Sequence, residues 1–90
     1  MKTLPETVQA YTRTKTFTEK SVPAKIRQDH QTAPGVWGLI TVVSGEVRYE
    51  IPSAEETHIL TPGNPGIVEP GISHRANPIG EASFFIEFYR

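Results

Sequence analysis

The sequence predicts a small all-β domain, a sandwich or a closed barrel. Apolar residues come in short runs that alternate with polar ones, so side chains with a period of two line one face of a strand. Proline and glycine separate these runs at close spacing, with 8 Pro and 7 Gly among 90 residues. No segment sustains a helical period. Many short strands without helices define sandwiches and barrels, and a barrel leaves a small chain few open edges. The length allows one domain, residues 1–90, because two cores would not fit. Such a chain buries roughly 60–65% of its unfolded surface, so its core is modest and pairing with a second copy is a natural remedy.

The elements follow in chain order. Residues 1–13 are polar and interrupted by Pro5, and read as an N-terminal arm that hangs free or wraps a neighbour. Ala24–His30 alternates: Ala24, Ile26, Gln28 and His30 share one face, and the charged Lys25, Arg27 and Asp29 share the other. This predicts a strand with the first set inward. Trp37–Ser44 is apolar on both faces and rich in β-branched residues, which predicts a central strand or one covered by a partner. Ser44-Gly45 reads as a tight turn into Glu46–Ile51, where Val47, Tyr49 and Ile51 point inward. His58–Thr61 and Ile67–Glu69 are short strands around the dense turn signal of residues 61–66. Ile72–Asn77 places Ile72, His74 and Ala76 on one face. Pro78-Ile79-Gly80-Glu81 reads as a turn. Ala82–Arg90 is a final strand, with Phe84, Ile86 and Phe88 opposed to Phe85, Glu87 and Tyr89.

Composition narrows the function classes. A net charge of −1 gives no basic footprint for nucleic acid. No cysteine is present, which excludes disulfides, thiolate metal sites and cysteine nucleophiles. No apolar run approaches a membrane span, and none follows Met1-Lys2, so a secretory leader is not expected. A cytoplasmic protein is the expectation. The glycines of residues 61–71 fit turns and do not form a phosphate loop, because no helix follows them. Ser44, Ser53 and Ser73 lack the context of a nucleophile elbow.

The stretch Thr61-Pro62-Gly63-Asn64-Pro65-Gly66-Ile67-Val68-Glu69-Pro70-Gly71-Ile72-Ser73-His74 resembles the second conserved motif of cupins. His30, Pro34-Gly35-Val36-Trp37-Gly38 and Val43 to Tyr49 look like a degenerate first motif. With Leu4-Pro5, Thr14 to Phe17, Val22-Pro23-Ala24 and the ending Phe84 to Tyr89, nearly the whole chain resembles the TehB/YeaR-like cupin family. Its members often carry a tellurite-resistance label. The resemblance implies a single-domain cupin, the double-stranded β-helix or jelly-roll barrel, with a metal in the barrel and pairing into homodimers. It supplies no reaction. The first motif departs from metal-binding cupins: only His30 is present, Gly38 lies near the expected glutamate, and Glu69 stands where proline is common.

Two histidines, His30 and His74, lie on the apolar faces of their expected strands. A buried imidazole without a partner costs roughly 1–3 kcal/mol, so each needs one. Two inward imidazoles in one small barrel can converge on a metal, and a carboxylate would complete a two-histidine, one-carboxylate face suited to iron(II) or zinc. Glu87, between Phe85 and Tyr89, is the first choice for the third ligand; Glu69 is the second. The residues equally allow two core histidines bonded to backbone, and a Glu87 on an outward face covered by a dimer partner. His58, beside the Glu55-Glu56 loop, reads as a surface residue. Three functions stay open: a metal-binding cupin holding a small molecule or oxyanion in a stress response, a metal-dependent oxygenase, isomerase or hydrolase, and a metal-free dimeric binding module.

Overall fold

A computed structural model describes residues 1–90. The strands are β1 (Ala10–Arg13), β2 (Phe17–Thr18), β3 (Trp37–Ile51), β4 (Glu56–Leu60), β5 (Gly66–Val68) and β6 (Arg75–Tyr89), with one helical turn, α1 (Ala24–Arg27). All six belong to one antiparallel sheet, ordered β1-β6-β3-β4, with β2 against β6 and β5 against β3. The all-β class read from the sequence holds. The sheet does not close into a ring of hydrogen bonds, since β1 and β4 end its path.

Two 15-residue strands, β3 and β6, make the framework. They pair with each other from Trp37↔Tyr89 to Glu50↔Arg75. Both run straight through the places where the sequence predicts reversals. The Ser44-Gly45 signal is a bulge: Val42 pairs with Phe84 and Ser44 with Ser83, so Val43 is an extra residue. The Pro78 to Glu81 signal is its counterpart, because Gly80, Glu81 and Ala82 fall between the pairs Ser44↔Ser83 and Glu46↔Ile79. Gly45 has φ +76°, and a Cβ there would stand 2.3 Å from the carbonyl oxygen of Glu81. Neither expected turn forms; the chain uses the backbone freedom of these residues to bend a paired strand. The extra Val43 also switches the phase of burial, from Ile40 and Val42 to Val47, Tyr49 and Ile51.

The core gathers these inward residues with Leu60 from β4, Val68 from β5, and Ala76, Phe84 and Ile86 from β6. Phe17 of β2 closes it with an edge-to-face contact to Phe84, ring centroids 5.8 Å apart.

Two further expectations are corrected. Ala24–His30 is not a strand. Pro23 fixes an extended residue ahead of Ala24, the Ile26 N–H donates to the Pro23 carbonyl at 3.0 Å, and one helical turn results. Ile26 is still buried, through the turn rather than through strand alternation. The segment 1–13 is not wholly an arm, since β1 pairs with the end of β6 although all four of its residues are exposed.

Candidate functional site: a cavity with two facing histidines

His30 and His74 meet across a two-residue antiparallel bridge. The N–H of each donates to the carbonyl of the other, both at 3.0 Å. Directly opposed residues of such a pair carry their side chains on the same face, so the rings are forced together. Their centroids lie 4.1 Å apart at an interplanar angle of 54°. The route differs from the one expected: His30 arrives on an irregular segment after α1, and His74 sits just before β6.

The next residues clamp this bridge from the other side. Arg75 donates from Nε and Nη2 to the two carboxylate oxygens of Glu50, at 3.2 and 3.1 Å, and from Nη1 to Asp29 at 3.0 Å. The forked guanidinium thus ties the His30 segment to β3 through β6. The pairing with Arg75 holds the Glu50 carboxyl below its ordinary range, and the Arg75 value is raised in return.

Each ring is oriented in the same way. Nδ1 of His30 donates to the Gln28 carbonyl at 3.2 Å, and Nδ1 of His74 donates to the Ile72 carbonyl at 3.1 Å. A carbonyl only accepts, so each Nδ1 carries a proton, and in the neutral ring this leaves the Nε2 lone pair free. Neither Nε2 has a partner within the chain. Tyr49 packs edge-on against His74 at 5.8 Å, and its hydroxyl is held by the Ile67 carbonyl at 2.8 Å. His74 is 2% exposed. Burial, aided by the neighbouring His30, overrides the stabilising carbonyl contact and pushes its pKa down to about 4. At neutral pH His74 is therefore an uncharged base.

Both rings line a cavity of about 530 Å³. Its apolar wall comes from Phe17, Ile26, Val68, Ile86 and Phe88, and Lys25 and Gln31 stand among its polar residues. This volume and mixed lining are those of a small-molecule site.

The two proposed carboxylates are elsewhere. Glu87 alternates with the buried Phe84 and Ile86 and faces the outer side of β6, opposite Leu39 and Arg13. The odd-numbered face of that strand points away from the cavity, so Glu87 does not join the histidines. Glu69 lines a separate cavity of about 180 Å³, with Lys2, Tyr49 and Glu56. Its Oε1 is buried, and Lys2 Nζ lies 3.2 Å away without the alignment of a hydrogen bond. His58 is half-buried on β4, hydrogen-bonded to Glu56 at 2.6 Å, away from the pair. No group of three His, Asp or Glu side chains gathers in a metal-binding arrangement. Sequence reasoning missed Lys25 and the Asp29–Arg75–Glu50 clamp. The first was assigned to the outer face of a strand that is not formed. The second joins residues 46 positions apart in the chain, and no local pattern encodes that contact.

An all-β domain with a histidine-floored cavity is the class that fold and site define. A sequence model described as the TehB-like domain matches residues 12–86, and the chain belongs to that family. Among solved structures, a protein of Escherichia coli K12 is similar over 100% of this chain and 97% of its own, with a TM-score of 0.87 and 23% identity. The structure of TehB from Haemophilus influenzae is similar over 91% of this chain, with a TM-score of 0.81 and 26% identity. The chain spans only 31% of that protein's length. No curated protein matches the chain. No helix is long and apolar enough to cross a membrane.

Proposed function

We propose that the chain is a cupin-type barrel that holds a divalent cation, zinc or iron(II), through His30 and His74, and with it a small molecule in the cavity. The observation that carries this reading is the pair of adjacent, tilted imidazoles whose Nδ1 protons are both committed to backbone carbonyls. Metal-binding histidines are fixed in just this way, with one nitrogen tied to an outer acceptor and the other directed at the ion. The donor set fits a two-nitrogen site. The ion would supply Lewis acidity, and its remaining positions would be open to water or a ligand oxygen. The protein's part is to fix both rings through Nδ1, and burial keeps the His74 ring uncharged. The neutral His74 ring offers no positive charge, so an oxyanion beside it would need the ion as its partner. The two long bent strands, each serving both halves of the sheet, support the barrel assignment.

The absence of a third ligand favours a second reading, a metal-free binding module in which each Nε2 accepts a hydrogen bond from the ligand. Glu87, the carboxylate named as a further acid or base, faces away from the cavity. Elemental analysis of the untagged chain separates the two readings. The expected result is about one equivalent of zinc, iron, nickel or manganese, lost in His30→Gln and in His74→Gln, with a higher Tm for the loaded protein. A chain that takes up no metal and gains no thermal stability from added zinc or iron(II) overturns the metal reading.

A further inference from the structure

We infer that the ligand of the His30/His74 cavity is a small apolar carboxylate bearing a hydroxyl group. This deepens the proposed function and rests on that cavity being a binding site.

The polar groups of the lining are mostly spent. Thr14 Oγ1 donates to the Lys15 carbonyl at 2.8 Å and accepts from the Ile86 N–H at 3.1 Å. Thr32 Oγ1 donates to the Val36 carbonyl at 2.6 Å, and Gln31 Nε2 donates to Ser73 at 3.3 Å. The strong uncommitted groups are the Lys25 ammonium, which has no ion-pair partner, and the two imidazole Nε2 atoms. No carboxylate lines the cavity. The acid closest in sequence, Asp29, is turned to Arg75 at 3.0 Å. The cavity therefore presents one cation, two lone pairs and an apolar wall, within a volume of about 530 Å³. Its complement is an anion, a hydroxyl donor and a compact hydrocarbon body. The hydroxyl meets the imidazoles directly; the carboxylate meets Lys25 at the rim.

The probes are 4-hydroxyphenylacetate, phenylacetate, which lacks the hydroxyl, and 2-(4-hydroxyphenyl)ethanol, which lacks the charge. Binding to the full chain is followed by calorimetry and by the imidazole resonances of His30 and His74. Lys25→Gln, at an exposed position, should weaken 4-hydroxyphenylacetate roughly tenfold and leave the neutral alcohol unchanged. His30→Gln should weaken both hydroxylated probes and leave phenylacetate unchanged; His74→Gln, at a buried position, is the second variant. An equal effect of Lys25→Gln on all three probes, or none, overturns the carboxylate assignment, and binding of phenylacetate as tight as that of its hydroxylated analogue overturns the hydroxyl assignment. Failure of all three probes to bind overturns the ligand class as a whole. Zinc uptake through the two rings is read separately, so it can stand or fall apart from any of these results.

Discussion

His74 carries most of the chemistry that single residues contribute. Its ring is buried against Tyr49 and His30, and its proton is pinned to Nδ1 by the Ile72 carbonyl. Its pKa in the folded chain is about 4, below the ordinary 6.5 that applies on unfolding. Between these values the unfolded chain binds more protons, so stability rises with pH across the window. This contribution is fully present above pH 6.5 and is lost as pH falls through 4. The expected loss is on the order of 2 kcal/mol. Chemical denaturation at pH 7.5 and 4.5 measures it, and His74→Phe should flatten the difference. Glu50 lies lower than usual because of Arg75, which adds a loss in the same direction at more acidic pH. Glu87→Gln makes the opposite expectation: because that carboxylate sits on the outer face of β6, the change should leave zinc uptake intact. His30 and His74 were legible from apolar faces shared with Ile26 and Ile72, although the strand expected to carry His30 does not form. The outward position of Glu87 was not. An acid flanked by Phe85 and Tyr89 looks the same in sequence whether it faces a cavity or an outer sheet surface.

At the scale of elements, β3 and β6 decide how much the sequence could tell. Their apolar phases were legible, because alternation survives on both sides of the bulge. Their continuity was not, because Ser44-Gly45 and Pro78 to Gly80 carry the residues of reversals and a bulge uses the same backbone freedom. The two signals face each other in the register, and only the tertiary pairing shows that they are one feature. Gly45→Ala should therefore destabilise by about 2–4 kcal/mol, since the new Cβ meets backbone at 2.3 Å and φ is +76°. Gly66→Ala should cost less. Its nearest neighbour is a side-chain methyl, Leu60 Cδ1 at 2.7 Å, rather than backbone, and no positive φ adds to the strain. Urea melts of both variants give the order. The misread segment is α1. Alternation over seven residues is too short to tell a strand from one helical turn followed by extended chain, and Pro23 favoured the turn.

At the scale of the whole molecule, the core lies on one side of the sheet and the other side is uncovered. Trp37, Leu39, Thr41, Phe85 and Tyr89 are only half-buried there, and Val43 is 54% exposed. The sequence expectation of apolar residues on both faces of Trp37–Ser44 is met by burial on one face alone. Pairing of two copies through the outer face would cover the rest, and it fits the pairing expected for so small a core. Light scattering should then give twice the chain mass, and Val43→Glu should shift it toward the monomer with little loss of fold. A monomer at all concentrations would leave that face to solvent. The all-β class needed only composition and period; the open path of the sheet needed the register of every strand.

The most direct test of the central claim is a long-range nitrogen–proton spectrum of the imidazoles during zinc titration. His74 should appear as a neutral Nδ1–H ring at pH 7, and the Nε2 signals of both rings should move together and finish at one equivalent of zinc. A ring protonated on Nε2, or a titration in which only His58 or only one of the pair responds, would contradict it.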